Sequence, residues 1–253
     1  MSDRLFEPRY GRLEDMALLT GKGRYVDDIH LPGMLEVAFV RSPHGHALYH
    51  SINATAALAL PGVHAVYTHA DVTQALTSDH IPPDQLVESF PTTTWPYILP
   101  EDEVCFVGEA IAAVVAETRY IAEDAAALVE VEYEILPAVS NCRKAADPES
   151  VTVHRDAANN IVNRFTTEYG DVETAFVEAA HVFGFSLKQH RGGAHSIEAR
   201  GVVANYDADS HQLTIWTSTQ SAHKSRDAAV ALFDMDESRV RVIVPDVGGG
   251  FGG

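Results

Sequence analysis

Five of the last six residues, Gly248, Gly249, Gly250, Gly252 and Gly253, are glycine, with Phe251 standing among them. A glycine loop directly after an apolar strand lets the backbone approach a ligand closely and aim its amide N–H groups at anionic or oxo groups. The same composition suits a flexible tail or a tight turn, because glycine loses the most conformational entropy on ordering. Two nucleotide-binding patterns are excluded. A Walker loop needs Lys-Ser or Lys-Thr after its last glycine, and nothing follows Gly253. The dinucleotide fingerprint can be laid over Gly248, Gly250 and Gly253, but no helix follows to receive a pyrophosphate and no acidic residue lies downstream.

Other residues have the type or the spacing for chemistry. His44 and His46 alternate as metal ligands can, whereas His190 and His195 have no matching carboxylate pattern, so no metal site is expected there. Gln220 follows an apolar segment, where a glutamine ordinarily caps a helix or faces water. Arg200 suits either a cofactor neighbour or a structural ion pair. Cys105, read as lying within an apolar strand, is expected to behave as a small core residue.

These residues need elements to position them. The segment LEVAFVR places Leu35, Val37 and Phe39 on one side of an extended chain, the mark of a half-buried strand. Residues 53–62 read as a short Ala/Leu helix that stops before Pro61-Gly62, and VHAVYT follows as a strand. Residues 71–103, rich in Pro, Thr and Asp, read as a loop. AIAAVVAET is a continuous apolar run suited to a strand covered on both faces, RYIAEDAAALV is a helix and EVEYEI a strand. Strands with intervening helices indicate a compact α+β or α/β unit over about residues 20 to 135.

The polar stretch 136–160, with two prolines, is the best linker candidate. Beyond it Asp171 can cap the helix DVETAFVEAA. Strands are expected through VFGFSLKQH, GVVANYD and QLTIWTS, with DADSH as a turn between the last two. SAHKSRDAAVALF predicts a helix and RVRVIVP a strand that leads into the glycine loop. Residues 1–34 are polar and turn-rich and read as a loop-like opening segment.

Composition narrows the function classes. With 253 residues, 46% hydrophobic, the chain can bury a sizeable core and suits two domains. Lys plus Arg number 18 against 36 Asp plus Glu, so the net charge of −18 repels phosphate backbones, and nucleic acid is not an expected partner. Two cysteines, Cys105 and Cys142, are too few for a disulfide framework or a Cys-rich metal site and fit a reduced, cytoplasmic compartment. The first residues carry charge throughout and read neither as a secretory signal nor as a membrane anchor.

Several runs together resemble the large subunit of the molybdenum hydroxylases of the xanthine dehydrogenase, aldehyde oxidase and carbon monoxide dehydrogenase type. RLEDMALLTGKGRYVDDIHLPGMLEVAFVRSPHGHA and ALALPGVHAVYTHADV are similar to the opening of that family's a/b hammerhead domain, and VGEAIAAVVAETRYIAEDAAALVEVEYEILPAV to its close. EARGVVANYD, TSTQSAHKSRDAAVALF and VGGGFGG follow in the family's order. The resemblance implies an α+β fold: a hammerhead domain over 18–137, a linker over 138–156, and the truncated start of a molybdopterin-binding domain over 157–253. It gives SPHGHA, and hence His44 and His46, a structural or loop role. It places Gln220 beside the molybdenum as the catalytic and cofactor-binding glutamine, and Gly249, Gly250, Phe251 and Gly252 at the metal and pterin. No residue is assigned as a metal ligand.

The implied cofactor is a molybdopterin dinucleotide, the cytosine form in a bacterial member, with iron–sulfur clusters and FAD on partner subunits. The implied partners are an iron–sulfur subunit, a flavin subunit, a carboxyl-terminal molybdopterin-binding chain and a small-molecule substrate. The implied reaction is hydroxylation of an electron-poor carbon, aided by a glutamate base from the distant carboxyl-terminal part of the subunit. That region lies beyond residue 253, so the chain is expected to be inactive alone. GRLEDMALLTGKGRYVDDI and VRSPHGHA lean toward the carbon monoxide dehydrogenase-like branch, although the regions that set substrate are not in the sequence. A non-catalytic hammerhead module that docks partner subunits is the alternative.

Overall fold

The computed structural model describes residues 12–81, 94–189, 192–193 and 195–251. Their contacts form two compact units, Leu35–Gly192 and the described residues of Met1–Met34 with Gly193–Gly253.

The Leu35–Gly192 unit holds two three-stranded antiparallel sheets. In the first, β5 (Ala110–Ala116) lies between β1 (Glu36–Arg41) and β3 (Val63–Tyr67). In the second, β2 (Ala47–Asn53) lies between the two-residue β4 (Glu103–Val104) and β6 (Glu130–Ile135). The apolar run of β5 is covered on both faces, as its composition demands. Ala112 and Val114 join a core with Val40, Ala57, Ala125 and Val129, while Ile111 packs with Ala47, Tyr49 and Val104. Helix α4 (Arg119–Ala127) closes the first core through Ala122 and Ala125, and starts where Thr118 Oγ1 accepts the Ile121 N–H at 3.3 Å. Helix α2 (Thr55–Leu58) ends before Pro61-Gly62 and buries Ala57.

Several expectations are corrected here. β2 was not foreseen: its inward Ala47 and Tyr49 are followed by His50 and Ser51, which break the apolar alternation. The supposed loop 71–103 contains most of α3 (His69–Ala75), capped by Thr68 and Asp71, and the first residue of β4. Residues 82–93 of that stretch lie outside the described residues. Residues 182–189, expected as a strand, are irregular and exposed. They alternate correctly, but a strand forms only where another strand accepts its hydrogen bonds, and among the described residues none does. Helix α6 (Val172–Glu178) forms as expected, with the Asp171 carboxylate accepting the Thr174 N–H at 3.0 Å.

The linker candidate is tied to the second sheet. Arg155 makes a forked ion pair with Asp102, and its N–H donates to Glu103 at 3.2 Å. A short helix, α5 (Cys142–Ala145), lies within it.

The other unit is built on β7 (Val202–Asp207), β8 (Gln212–Thr217) and β9 (Val240–Ile243), with α7 (Ala222–Phe233) between β8 and β9. Leu213, Ala229 and Val240 form its core. The turn between β7 and β8 is held by Asp207, whose carboxylate accepts from the N–H groups of Asp209 and Ser210. The opening segment, expected to be loop-like, contributes α1 (Asp15–Leu19) and a single 3-10 turn at Val26–Asp28.

Candidate functional site

β7 and β8 are antiparallel, but β8 and β9 run parallel, pairing Leu213 with Val240 and Trp216 with Ile243. The chain therefore leaves both strands at the same end of the sheet, and α7 makes the crossover. Gln220 follows β8 and the glycine loop follows β9. Carboxyl ends of adjacent parallel strands are where open sheets with crossover helices place their ligand sites.

The two meet in contact. A Cβ on Gly250 would lie 2.5 Å from Cδ and 2.7 Å from Nε2 of Gln220, so only a glycine admits the carboxamide this close. Gly249 has φ +130°, open to glycine alone among the common residues, and a Cβ there would sit 2.7 Å from Cε2 of the Phe251 ring. Phe251 itself adopts the left-handed conformation at φ +49°, which an aromatic residue holds at a cost of about 1–2 kcal/mol. Its ring, folded back over Gly249, is 72% exposed. Gln220 is also exposed. Gly252 lies outside the described residues.

The loop is gripped from two directions. The Gly248 N–H donates to Glu198 Oε2 at 2.7 Å, while Glu198 Oε1 accepts the Val26 N–H at 3.2 Å. Ser196 Oγ donates to the Gly249 carbonyl at 2.5 Å. Asp246 and Arg24 exchange two bonds: the Arg24 N–H donates to the Asp246 carboxylate at 2.8 Å and the Asp246 N–H to the Arg24 carbonyl at 3.0 Å. Of the residues named from sequence, Gln220, Gly249, Gly250 and Phe251 are brought together, whereas Ser196, Glu198, Arg24, Val26 and Asp246, which hold the loop, were not anticipated. Sequence reasoning stopped at Arg200, which is exposed. The acid two places earlier holds the loop, and nothing in its neighbours signals a bond to backbone so far along the chain.

Chemically, the site offers neutral donors, the loop amides and a glutamine carboxamide, beside an aromatic ring. Both Glu198 oxygens and the Asp246 carboxylate are already engaged by backbone N–H groups, so these acids are occupied in holding the loop. Such a set suits a group rich in oxo and phosphate oxygens, which neutral donors hold without adding charge.

His44, His46 and Cys105 take structural places in the other unit. His46 is buried, its Nδ1 2.9 Å from the Pro137 carbonyl and its Nε2 2.9 Å from Glu103. His44 packs edge-on to Tyr133 at 4.8 Å. Cys105 lies just past β4 rather than within a strand, half-buried, with Sγ 3.3 Å from His154 Nδ1. Burial, helped by Glu103 and Glu109, pushes its thiol up to about 12. Burial lowers the His154 imidazole below its ordinary 6.5, so both partners stay neutral. His195 is exposed, and His190 lies outside the described residues.

Residues 20–137 match the family model of the aldehyde oxidase and xanthine dehydrogenase a/b hammerhead domain, and residues 153–253 match that of the molybdopterin cofactor-binding domain. The chain carries these two domains of the molybdenum hydroxylase large subunits in the same order and matches the amino-terminal part of its relatives.

Among its relatives, the large subunit of nicotine 6-hydroxylase from Paenarthrobacter nicotinovorans is 40% identical over 96% of this chain and 29% of its own length. The carbon monoxide dehydrogenase large chain of Afipia carboxidovorans is 36% identical over 95% of this chain and 30% of its own. The crystal structure of quinoline 2-oxidoreductase from Pseudomonas putida 86 superposes with a TM-score of 0.85 at 41% identity, over 95% of this chain and 30% of that one. The chain thus spans about 30% of the length of the relatives it matches. Among the described residues no helix is long and apolar enough to cross a membrane.

Proposed function

We propose that this chain supplies one wall of the molybdopterin site of a molybdenum-dependent hydroxylase that oxidises a heterocycle, an aldehyde or carbon monoxide and passes electrons to iron–sulfur and flavin subunits. The observation that carries the reading is the contact of Gly250 with Gln220 at the carboxyl ends of two parallel strands. Gln220 donates from its carboxamide, the backbone of Gly249, Gly250 and Gly252 supplies further donors, and Phe251 covers the site with its ring. When bound, a molybdopterin dinucleotide, of the cytosine form, supplies the two-electron redox chemistry. The relatives named for nicotine and quinoline favour a nitrogen heterocycle as substrate over carbon monoxide.

One wall does not make an active site. The base that activates the attacking oxygen lies on a carboxyl-terminal molybdopterin-binding region, and the assembled enzyme works in the cytoplasm. We expect the purified chain to give no turnover with a dye acceptor, and turnover would contradict this reading.

The test is molybdenum and released-pterin content, measured on the chain alone and after co-expression with a carboxyl-terminal chain and the iron–sulfur and flavin subunits. Metal that appears only with partners supports a shared site. Metal that never appears withdraws the catalytic reading and leaves the hammerhead as a docking module.

A further inference from the structure

We infer that Glu198 is the positioning residue of the glycine loop: its carboxylate ties the Gly248 amide to the Val26 amide and so sets the direction in which the loop presents its backbone. The inference rests on the proposed cofactor site and adds to it a residue outside the loop.

Three observations converge on Glu198. Its two oxygens accept from two different segments, Gly248 at 2.7 Å and Val26 at 3.2 Å. A Cβ on Gly248 would lie 2.3 Å from Glu198 Cβ and 3.1 Å from its backbone N, so glycine at 248 is what admits this acid against the loop. Two residues earlier, Ser196 holds the Gly249–Gly250 peptide by its carbonyl. Together they fix the Gly248 N–H and the Gly249 C=O, and because the N–H of a trans peptide points opposite to its carbonyl, the Gly250 N–H is turned away from Ser196. A carboxylate serves here because it accepts at both ends. A carboxamide of the same shape has one accepting oxygen, and its NH2 group would confront an N–H. Charge on the acceptor also shortens and strengthens both bonds.

The test compares Glu198→Gln, which keeps the shape, with Glu198→Asp, which keeps the charge but shortens the reach, and with Ser196→Ala. In the full chain, amide hydrogen exchange is followed over residues 24–28, 244–251 and 35–135. Glu198→Gln is expected to speed exchange at Val26 and Gly248 on the order of tenfold, with 35–135 unchanged, whereas Ser196→Ala affects 248–250 but not Val26. In the co-expressed complex, Glu198→Gln is expected to shift the molybdenum(V) electron-resonance spectrum, and Glu198→Asp to restore it in part.

Unchanged exchange at Gly248 in Glu198→Gln overturns the inference. So does faster exchange accompanied by parental metal content and an unaltered spectrum, which would make Glu198 merely structural. A parent complex without molybdenum overturns the proposed site itself and with it any role of Glu198 toward the cofactor, while the exchange arm still decides whether the acid grips the loop.

Discussion

A methyl group on residue 250 would need space already taken by the Gln220 carboxamide at 2.5 Å. Gly250→Ala is therefore expected to displace the loop or the glutamine and to cost about 1–3 kcal/mol as an overpacked contact. Molybdenum content of the co-expressed complex should fall severalfold, and content equal to the parent's would contradict the cradle. In the other unit, Cys105 stays a thiol because burial lifts it to about 12, whereas Cys142 is exposed. A thiol-specific disulfide reagent at pH 8 should modify one cysteine per native chain and two after unfolding.

His154 is lowered from 6.5, so on acidification the unfolded state takes up its proton first. Its contribution to stability is present above pH 6.5 and is lost as pH falls through the lower folded value. Melting temperatures measured between pH 7.5 and 5 should therefore drop less in His154→Leu than in the parent. Gln220 and the glycines were legible in sequence because their types and order carry the family's pattern. Glu198 was not, because its partners are backbone amides 50 and 172 residues away and leave no residue type to read.

At the scale of elements, Ile111 stands on the central strand β5 with no exposed surface and fills the space between β5 and the second sheet. Ile111→Ala should cost about 2–5 kcal/mol in urea unfolding, at the upper end if the surrounding Tyr49 and Val104 cannot close the gap. A loss under 1 kcal/mol would show that this contact does not organise the core. Elements with a clear apolar pattern were legible: β1, β5, α4, β6, α7 and β9 all fall where the sequence pattern puts them. Those set by tertiary pairing were not. β2 is a central strand with mixed polarity, and β4 has only two residues, which no periodicity can announce. Residues 182–189 have the period without the partner.

At the scale of the molecule, large apolar side chains remain uncovered along residues 161–189, among them Phe165 at 83% exposure, Phe185 at 85% and Leu187 at 87%. Patches of this kind mark surfaces that another segment or chain covers. The chain alone should brighten an anilinonaphthalene dye strongly, and co-expression with a carboxyl-terminal molybdopterin-binding chain should remove most of that signal; an equal signal in both would place the covering surface elsewhere. The grip of the opening segment on the glycine loop carries a further consequence, in the order of synthesis. Arg24 and Asp246 bond across 222 residues. At bacterial and eukaryotic translation speeds the first of them leaves the ribosome about 10 to 45 seconds before the second. Through that interval residues 24–26 wait without the loop they will hold, while all of Leu35–Gly192 emerges. Of the two partners the one made earlier thus waits for the one made later, and the grip on the loop forms only after β9 has emerged.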